Sequence, residues 1–314
     1  MPQPDIVAIG EPMLELNSET EGPLSEATRF LVGWGGDTSN FCIAVSRAGG
    51  KAGYLTRLGD DEFGESFLAL WQQEGVDTCH VVRDPTAYTA AYFISRHGRQ
   101  HFFTYFRKDS AASRMHPEFL PTGYIAQARL LHASGISQAI STSACDAVFA
   151  AFGIARSAGR LVSYDPNFRP KLWPLERARA VIHETCRLAD FVFPSLDEAR
   201  LLTGLDDAEE IARFYLGLGP KVVALKMGAE GSLVATAEGF ERHRPFRVDS
   251  IDMSGAGDTF DGAFVTAFLE GRSPAECARF ANAAAALTTT GLGCVSPIPH
   301  RRAIEELMRR QPSA

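Results

Sequence analysis

The chain has 314 residues, enough for one large or two modest domains, and its 45% hydrophobic content supports a substantial core. A net charge of −7 without any Lys/Arg-rich run argues against a nucleic-acid partner or an anionic membrane surface. The cysteines Cys42, Cys79, Cys145, Cys186, Cys277 and Cys294 form no Cys-x-x-Cys pair, so reduced core thiols are expected rather than disulfides or metal ligands.

The amino terminus has neither a basic region nor a long apolar run, and a soluble cytoplasmic protein is expected. Residues 6–10 are an apolar run ended by Gly10, which suits a buried strand. Residues 13–17 and 30–32 are shorter and mixed, as in a small, partly exposed sheet. The polar turn Gly33-Trp34-Gly35-Gly36-Asp37-Thr38-Ser39-Asn40 follows, then an apolar helix over 41–48. Its glycines let the backbone approach a ligand, and Asp37 and Asn40 carry the acceptors and donors that sugar hydroxyls need; equally, Thr38 or Ser39 could simply cap the helix.

Residues 52–58 read as a strand, 59–64 as a loop and 65–73 as a helix ended by Gly75. Beyond Pro85, two β-rich segments around His97-Gly98-Arg99-Gln100 predict a hairpin. Alternation puts Phe103, Tyr105 and Arg107 on one face and Phe102, Thr104 and Phe106 on the other. From residue 128 the chain repeats strand-then-helix units: 129–134 into a helix near 142–157, 161–165 into 175–188, 191–193 into 197–203, and 221–226 into the turn Lys226-Met227-Gly228-Ala229-Glu230-Gly231. Such alternation implies a parallel sheet with helices on both faces and ligands at the carboxyl ends of its strands. Two loops there are polar: Asp165-Pro166-Asn167-Phe168-Arg169-Pro170 and Ser195-Leu196-Asp197-Glu198. Asn282 is the lone amide in the small apolar stretch 281–286, and 300–310 reads as a polar terminal helix.

The most informative stretch is Asp252-Met253-Ser254-Gly255-Ala256-Gly257-Asp258-Thr259-Phe260. Phe260, Phe264, Ala267 and Phe268 follow at helical spacing, so a glycine turn enters a helix that stops near Gly271. The unpaired N–H groups of its first turn, with the helix dipole, favour an anion such as phosphate. Asp258 would repel a resting phosphate, yet it is placed to take a proton from a hydroxyl attacking one. A capped helix start is the plainer alternative. No Walker-A pattern occurs, and no Gly-x-Gly-x-x-Gly follows the first strand, which disfavours a dinucleotide-binding dehydrogenase.

The run from Asp252 to Phe260 with Gly262 and Ala263, together with the Gly35-Gly36-x-x-x-Asn40 turn, closely resembles the signatures of the ribokinase-like (PfkB) carbohydrate kinases. The resemblance spans roughly residues 6–302. It implies Asp258 as the base and Gly255, Ala256 and Gly257 as an anion nest. It places the sugar on Gly35, Gly36, Asp37 and Asn40, with ATP near Asn167, Ser195, Lys226, Gly228, Gly231, Gly257 and Asn282. Glu198 corresponds to an Asn-x-x-Glu element linked to Mg²⁺, although Ser195 replaces the asparagine. Gly35-Gly36-Asp37-Thr38 and Tyr105-x-Arg107, with Tyr92 and Arg169, resemble the 2-keto-3-deoxygluconate kinases of the family. There a guanidinium meets the substrate carboxylate, whose planar geometry it matches.

The implied fold is α/β: a three-layer α/β/α domain over 1–314, with a mostly parallel sheet and a small β lid at about 12–34 and 86–108. The implied activity is ATP- and Mg²⁺-dependent phosphorylation of 2-keto-3-deoxygluconate to its 6-phosphate. A kinase for fructose or for the galactonate epimer, and a non-catalytic sugar-binding regulator, stay open as alternatives, as does a monovalent-cation requirement. Exposed lid edges invite pairing, so a homo-oligomer is expected.

Overall fold

The structure, a computed structural model, describes residues 3–98 and 100–312. Among the described residues the strands form two sheets. The large one has nine strands in the order β13 (Gly239–His243), β12 (Ser232–Thr236), β11 (Val222–Lys226), β10 (Phe191–Val192), β9 (Leu161–Asp165), β8 (Leu130–Ser134), β1 (Ile6–Ile9), β4 (Ala52–Gly59) and β5 (Val81–Asp84). From β11 to β5 every pairing is parallel, and β12 and β13 continue antiparallel at one edge.

Both faces of this sheet are buried, and the two-residue period of the strands shows how. In β1, Val7 and Ile9 enter one core, with α3 (Thr122–Gln127), α5 (Thr142–Ser157), α6 (Leu175–Cys186), α7 (Leu196–Thr203) and α8 (Ala208–Leu218). Ile6 and Ala8 enter the other, with α1 (Asp37–Arg47), α2 (Glu62–Gln73), α9 (Ala256–Leu269), α10 (Pro274–Thr288) and α11 (Arg301–Arg310). The short α4 (Gly135–Ala139) follows β8 directly. These are the three layers the alternating pattern implied. No helix of the described residues is long and apolar enough to cross a membrane.

The small sheet has the order β3 (Phe30–Gly35), β2 (Met13–Glu21), β6 (Ala91–His97) and β7 (Gln100–Phe106). On one face Met13, Tyr92, Ile94 and Phe103 pack together with Ala90, whereas Phe102 and Phe106 are exposed. The face alternation read from the hairpin is therefore the observed one.

Several elements differ from the sequence reading. Helix α1 begins at Asp37 with Gly36 as N-cap, so Thr38 and Ser39 are buried inside the helix and cap nothing. Helix α2 begins at Glu62 because the Asp61 carboxylate accepts from the Gly64 N–H, a cap hidden in an acidic loop. Strands β5, β12 and β13 and helix α8 are not among the elements expected from the sequence. For α8 the signals were an Asp207 cap and buried Ile211, Ala212 and Tyr215 at helical spacing. The cysteines are free, but Cys79 is exposed and does not join the core.

Phe264 anchors α9 to the sheet: it is fully buried, with its ring 5.2 Å from Phe193 and 6.4 Å from Phe191. Phe264→Ala should lower the unfolding free energy in urea by about 3–5 kcal/mol, whereas Phe102→Ala, on the exposed face, should change it by less than about 0.5 kcal/mol. Similar effects from both would contradict this packing.

Candidate active site

Both glycine turns start helices that cross each other. Gly36, at φ 97°, precedes α1, and Gly255, at φ 75°, precedes α9; both lie in the left-handed region that favours glycine. A Cβ on Gly255 would also sit 2.7 Å from the Cys294 carbonyl oxygen. The helices approach closely because Gly262 of α9 faces α1, where a Cβ would lie 2.8 Å from the Phe41 carbonyl oxygen. This crossing brings Asn40 to Asp258, and Asn40 Nδ2 donates to Asp258 Oδ2 at 2.8 Å. Asn40 Oδ1 is buried and has no partner among the described residues.

Asp258 keeps some solvent contact, but protein surrounds its carboxyl. Burial first, then the nearby Asp37 charge, push its pKa up to about 7, against the pull of the Asn40 hydrogen bond. Asp37 is itself raised, by burial most of all. Its Oδ1 accepts from Thr38 N–H at 2.8 Å and its Oδ2 from Asn167 Nδ2 at 3.0 Å. Asn167 sits at φ 36°, an uncommon conformation for a residue with a side chain. Its N–H donates to Asp165 Oδ1 at 3.0 Å.

Beneath the first turn of α9 lies Lys226, whose Nζ donates to Asp165 at 2.8 Å and to Asp261 at 3.1 Å. Burial opposes its charge, but the two carboxylates prevail and hold it protonated. Burial likewise opposes ionisation of Asp165, yet Lys226 and a hydrogen bond from Asp261 together outweigh it and the pKa falls. For Asp261 burial wins and the pKa rises, so the two carboxyls beside Lys226 are pushed in opposite directions. The Lys226 ammonium is thus committed within the protein, which the glycine-turn reading did not foresee. A Cβ on Gly257 would lie 3.4 Å from its Nζ.

Glu198 is buried at the start of α7. Its Oε1 accepts from Ser195 N–H at 2.7 Å and its Oε2 from Phe168 N–H at 2.6 Å, tying two strand-end loops together. Burial and then Asp165 raise its pKa. Gly228, at φ 57°, has nothing within 4 Å of a Cβ position, so its side of the turn is open, whereas a Cβ on Gly231 would strike the His243 carbonyl oxygen. Asn282 is buried and donates to Ser232 Oγ at 3.0 Å.

Over this floor stand residues of the small sheet. Tyr92 OH lies where a Gly35 Cβ would be and donates to Glu15, whose carboxylate also accepts from Cys294 Sγ at 3.1 Å. The Tyr105 ring is 5.9 Å from that of Tyr92. Arg107 lies 5.7 Å from the Tyr105 ring centre, and its Nη2 donates to Glu11. Arg169 is exposed, with Nη1 donating to the Phe168 carbonyl at 3.2 Å, and its charge is felt by both Asp37 and Tyr105.

The structure thus joins Asn40 to Asp258, joins Asp37 and Asn167 to Lys226 by way of Asp165, and links Glu198 to the loop carrying Asn167 and Arg169. Asn282 joins no such contact. Sequence reasoning missed Glu11, Glu15 and Asp261. Their one signal was a carboxylate among apolar neighbours, at a strand end, within a strand, and one turn after Asp258.

Comparison with known proteins gives this arrangement a class. A profile of the pfkB family carbohydrate kinases matches residues 3–301. The chain is 38% identical to a 2-dehydro-3-deoxygluconokinase of Thermoproteus tenax, over 97% of this chain and 94% of the relative. It is 34% identical to fructokinase-1 of Zea mays, over 97% of this chain and 98% of the relative. A solved E. coli structure in complex with ATP and Mg²⁺ matches with a TM-score of 0.92 at 25% identity, over 98% of this chain and 99% of that one. The chain belongs to the pfkB family of carbohydrate kinases, with the ribokinase-like fold of that family, and is a phosphotransferase with an alcohol group as acceptor.

Two stability measurements check the electrostatics. Lys226→Met leaves Asp165 and Asp261 without their cation and should cost about 3–5 kcal/mol, as breaking a buried pair does; a loss below about 1 kcal/mol would contradict the network. For Asp258 the folded-state pKa lies above the unfolded value, so its contribution is lost as pH rises from about 4 to about 7. Asp258→Asn should therefore raise Tm at pH 8 by more than at pH 5. An equal change at both would show that the carboxyl titrates normally.

Proposed function

We propose that the chain transfers the γ-phosphoryl group of ATP to the 6-hydroxyl of 2-keto-3-deoxygluconate, the substrate also called 2-dehydro-3-deoxygluconate. The observation that carries the chemistry is Asp258 in the first turn of α9, 2.8 Å from Asn40 and next to the Gly255–Gly257 amides. As the hydroxyl oxygen attacks the γ-phosphorus, Asp258 accepts its proton. The new O–P bond forms, the bond to the β–γ bridging oxygen breaks, and ADP leaves. The N–H groups of the first turn of α9 stabilise charge on the moving phosphoryl group. Asn40 holds one Asp258 oxygen in place, and its own Oδ1 is available to a sugar hydroxyl.

The open side of the Gly228 turn fits the nucleotide. Among the described residues no group of three or more His, Cys, Asp or Glu is arranged to hold a bare metal ion, and both Glu198 oxygens already accept a backbone N–H. That donor set fits a hydrated Mg²⁺ arriving on the phosphates, with Glu198 accepting from one of its waters through a remaining lone pair. Mg²⁺ would there neutralise phosphate charge. The small sheet, about 12–34 and 86–108, acts as a lid that excludes water as a competing acceptor.

Arg107 and Tyr105 on β7 and its exit, with Arg169 opposite, support an acid sugar, and the 38% identical relative agrees. A neutral-sugar kinase is the second reading: Arg107 is already paired with Glu11, and a fructokinase is 34% identical over a similar span.

ADP release with Mg·ATP against 2-keto-3-deoxygluconate, its galactonate epimer, gluconate, fructose and ribose should show turnover confined to the keto-deoxy acids. Turnover on fructose instead would replace the substrate. Asp258→Asn should keep sugar binding and lower kcat by at least ~10². In the unmodified enzyme kcat/KM should rise with pH and level off above about 7 as Asp258 ionises. A flat profile, or full turnover by the variant, would remove Asp258 as the base.

A further inference from the structure

Glu11 follows β1 at the carboxyl edge of the large sheet, and its side chain is wholly buried. Two parts of the site, the Gly36 turn and Arg107, meet together with Ser110 at Glu11. Its backbone carbonyl lies 2.4 Å from where a Gly36 Cβ would be, so the glycine turn rests against it. Its Oε1 accepts from Ser110 Oγ at 2.7 Å, and its Oε2 accepts from Arg107 Nη2. Arg107 therefore does not wave on the end of a hairpin. It is clamped between a buried carboxylate and the Tyr105 ring, with its Nε free of partners among the described residues.

We propose that Glu11 is the positioning residue that aims Arg107, so that preference for an acid sugar resides in a Glu11–Arg107 unit and not in Arg107 alone. This rests on the acid-sugar reading above. The physical ground is that a buried carboxylate cannot be left unpaired without a large penalty, so an arriving substrate carboxylate does not displace Glu11. It takes guanidinium donors that Glu11 leaves uncommitted, and a guanidinium has five in fixed directions. Fixing one Nη and holding the guanidinium over the Tyr105 ring removes rotamer freedom that binding would otherwise have to remove.

The test compares KM and kcat for 2-keto-3-deoxygluconate with the binding of fructose, read as substrate or as competitive inhibitor. Glu11→Ala should raise KM for the acid by about 10-fold while fructose changes by less than about 2-fold and kcat holds. Glu11→Gln keeps a carbonyl acceptor for Arg107 and should stay within about 3-fold of the unmodified enzyme. Combined with Arg107→Ala, the Glu11→Ala change should add nothing further, because the unit is already broken. Unchanged fructose binding shows that Glu11→Ala is folded, and a thermal melt of both variants confirms it.

A fall in KM would mean that Glu11 competes with the substrate, and equal loss for acid and neutral sugars would mean a structural role. Full additivity with Arg107→Ala would mean independent residues. Each of these overturns the proposal while leaving the acid-sugar reading intact. An unmodified enzyme that uses fructose and ignores the acid overturns both.

Discussion

The close crossing of α1 and α9 is the constraint on which the site depends. Gly262 leaves no room for a side chain against the Phe41 carbonyl, so the two helices pack closely there. Each helix brings a glycine turn whose N-cap needs positive φ. The Asn40–Asp258 hydrogen bond spans 218 residues of sequence and exists because the backbones come that close. Phe260 and Phe264 hold α9 to Phe191 and Phe193 from behind, so hydrophobic packing sets the position of a polar site.

Crowding of carboxylates is the second theme. Asp37, Asp165, Asp258, Asp261 and Glu198 are gathered around one buried ammonium, that of Lys226. One cation cannot keep so many carboxyls ionised in a shielded space, and the result is a division: Asp165 is held charged while Asp37, Asp258, Asp261 and Glu198 are pushed up. Burial first, and repulsion from neighbouring carboxyls after it, raise Asp258 toward the range in which a general base works near neutral pH. The arrangement costs stability and supplies proton affinity, a trade common to catalytic sites.

Two more buried carboxylates, Glu11 after β1 and Glu15 within β2, bind side chains from the hairpin of the small sheet. Glu15 joins Tyr92 of β6 to Cys294, whose carbonyl abuts Gly255. Glu11 joins Arg107 to the backbone of the glycine turn. Both carboxylates connect the small sheet to turns that the large sheet positions, which is how two separate sheets come to build one cleft.

Much of the fold was legible because its signals are local. Alternating apolar strands and amphipathic helices, with glycine or proline between them, mark the layers, and Gly255-Ala256-Gly257-Asp258 marks a helix start whatever surrounds it. Elements whose identity depends on partners were not legible: the antiparallel strands β12 and β13, the brief edge strand β5, and helix α8, which one Asp cap and a short apolar stripe define. The sequence by itself determined the α/β class, the two glycine signatures and the candidate base, because residue type and spacing decide backbone conformation over a few residues. Only the tertiary structure decided that Lys226 is spent on Asp165 and Asp261, that Asn282 turns to Ser232, and that Arg107 is held by Glu11. Those are choices between partners 35 to 96 residues away, and a charged group's partner is settled by which counter-charge the fold buries beside it.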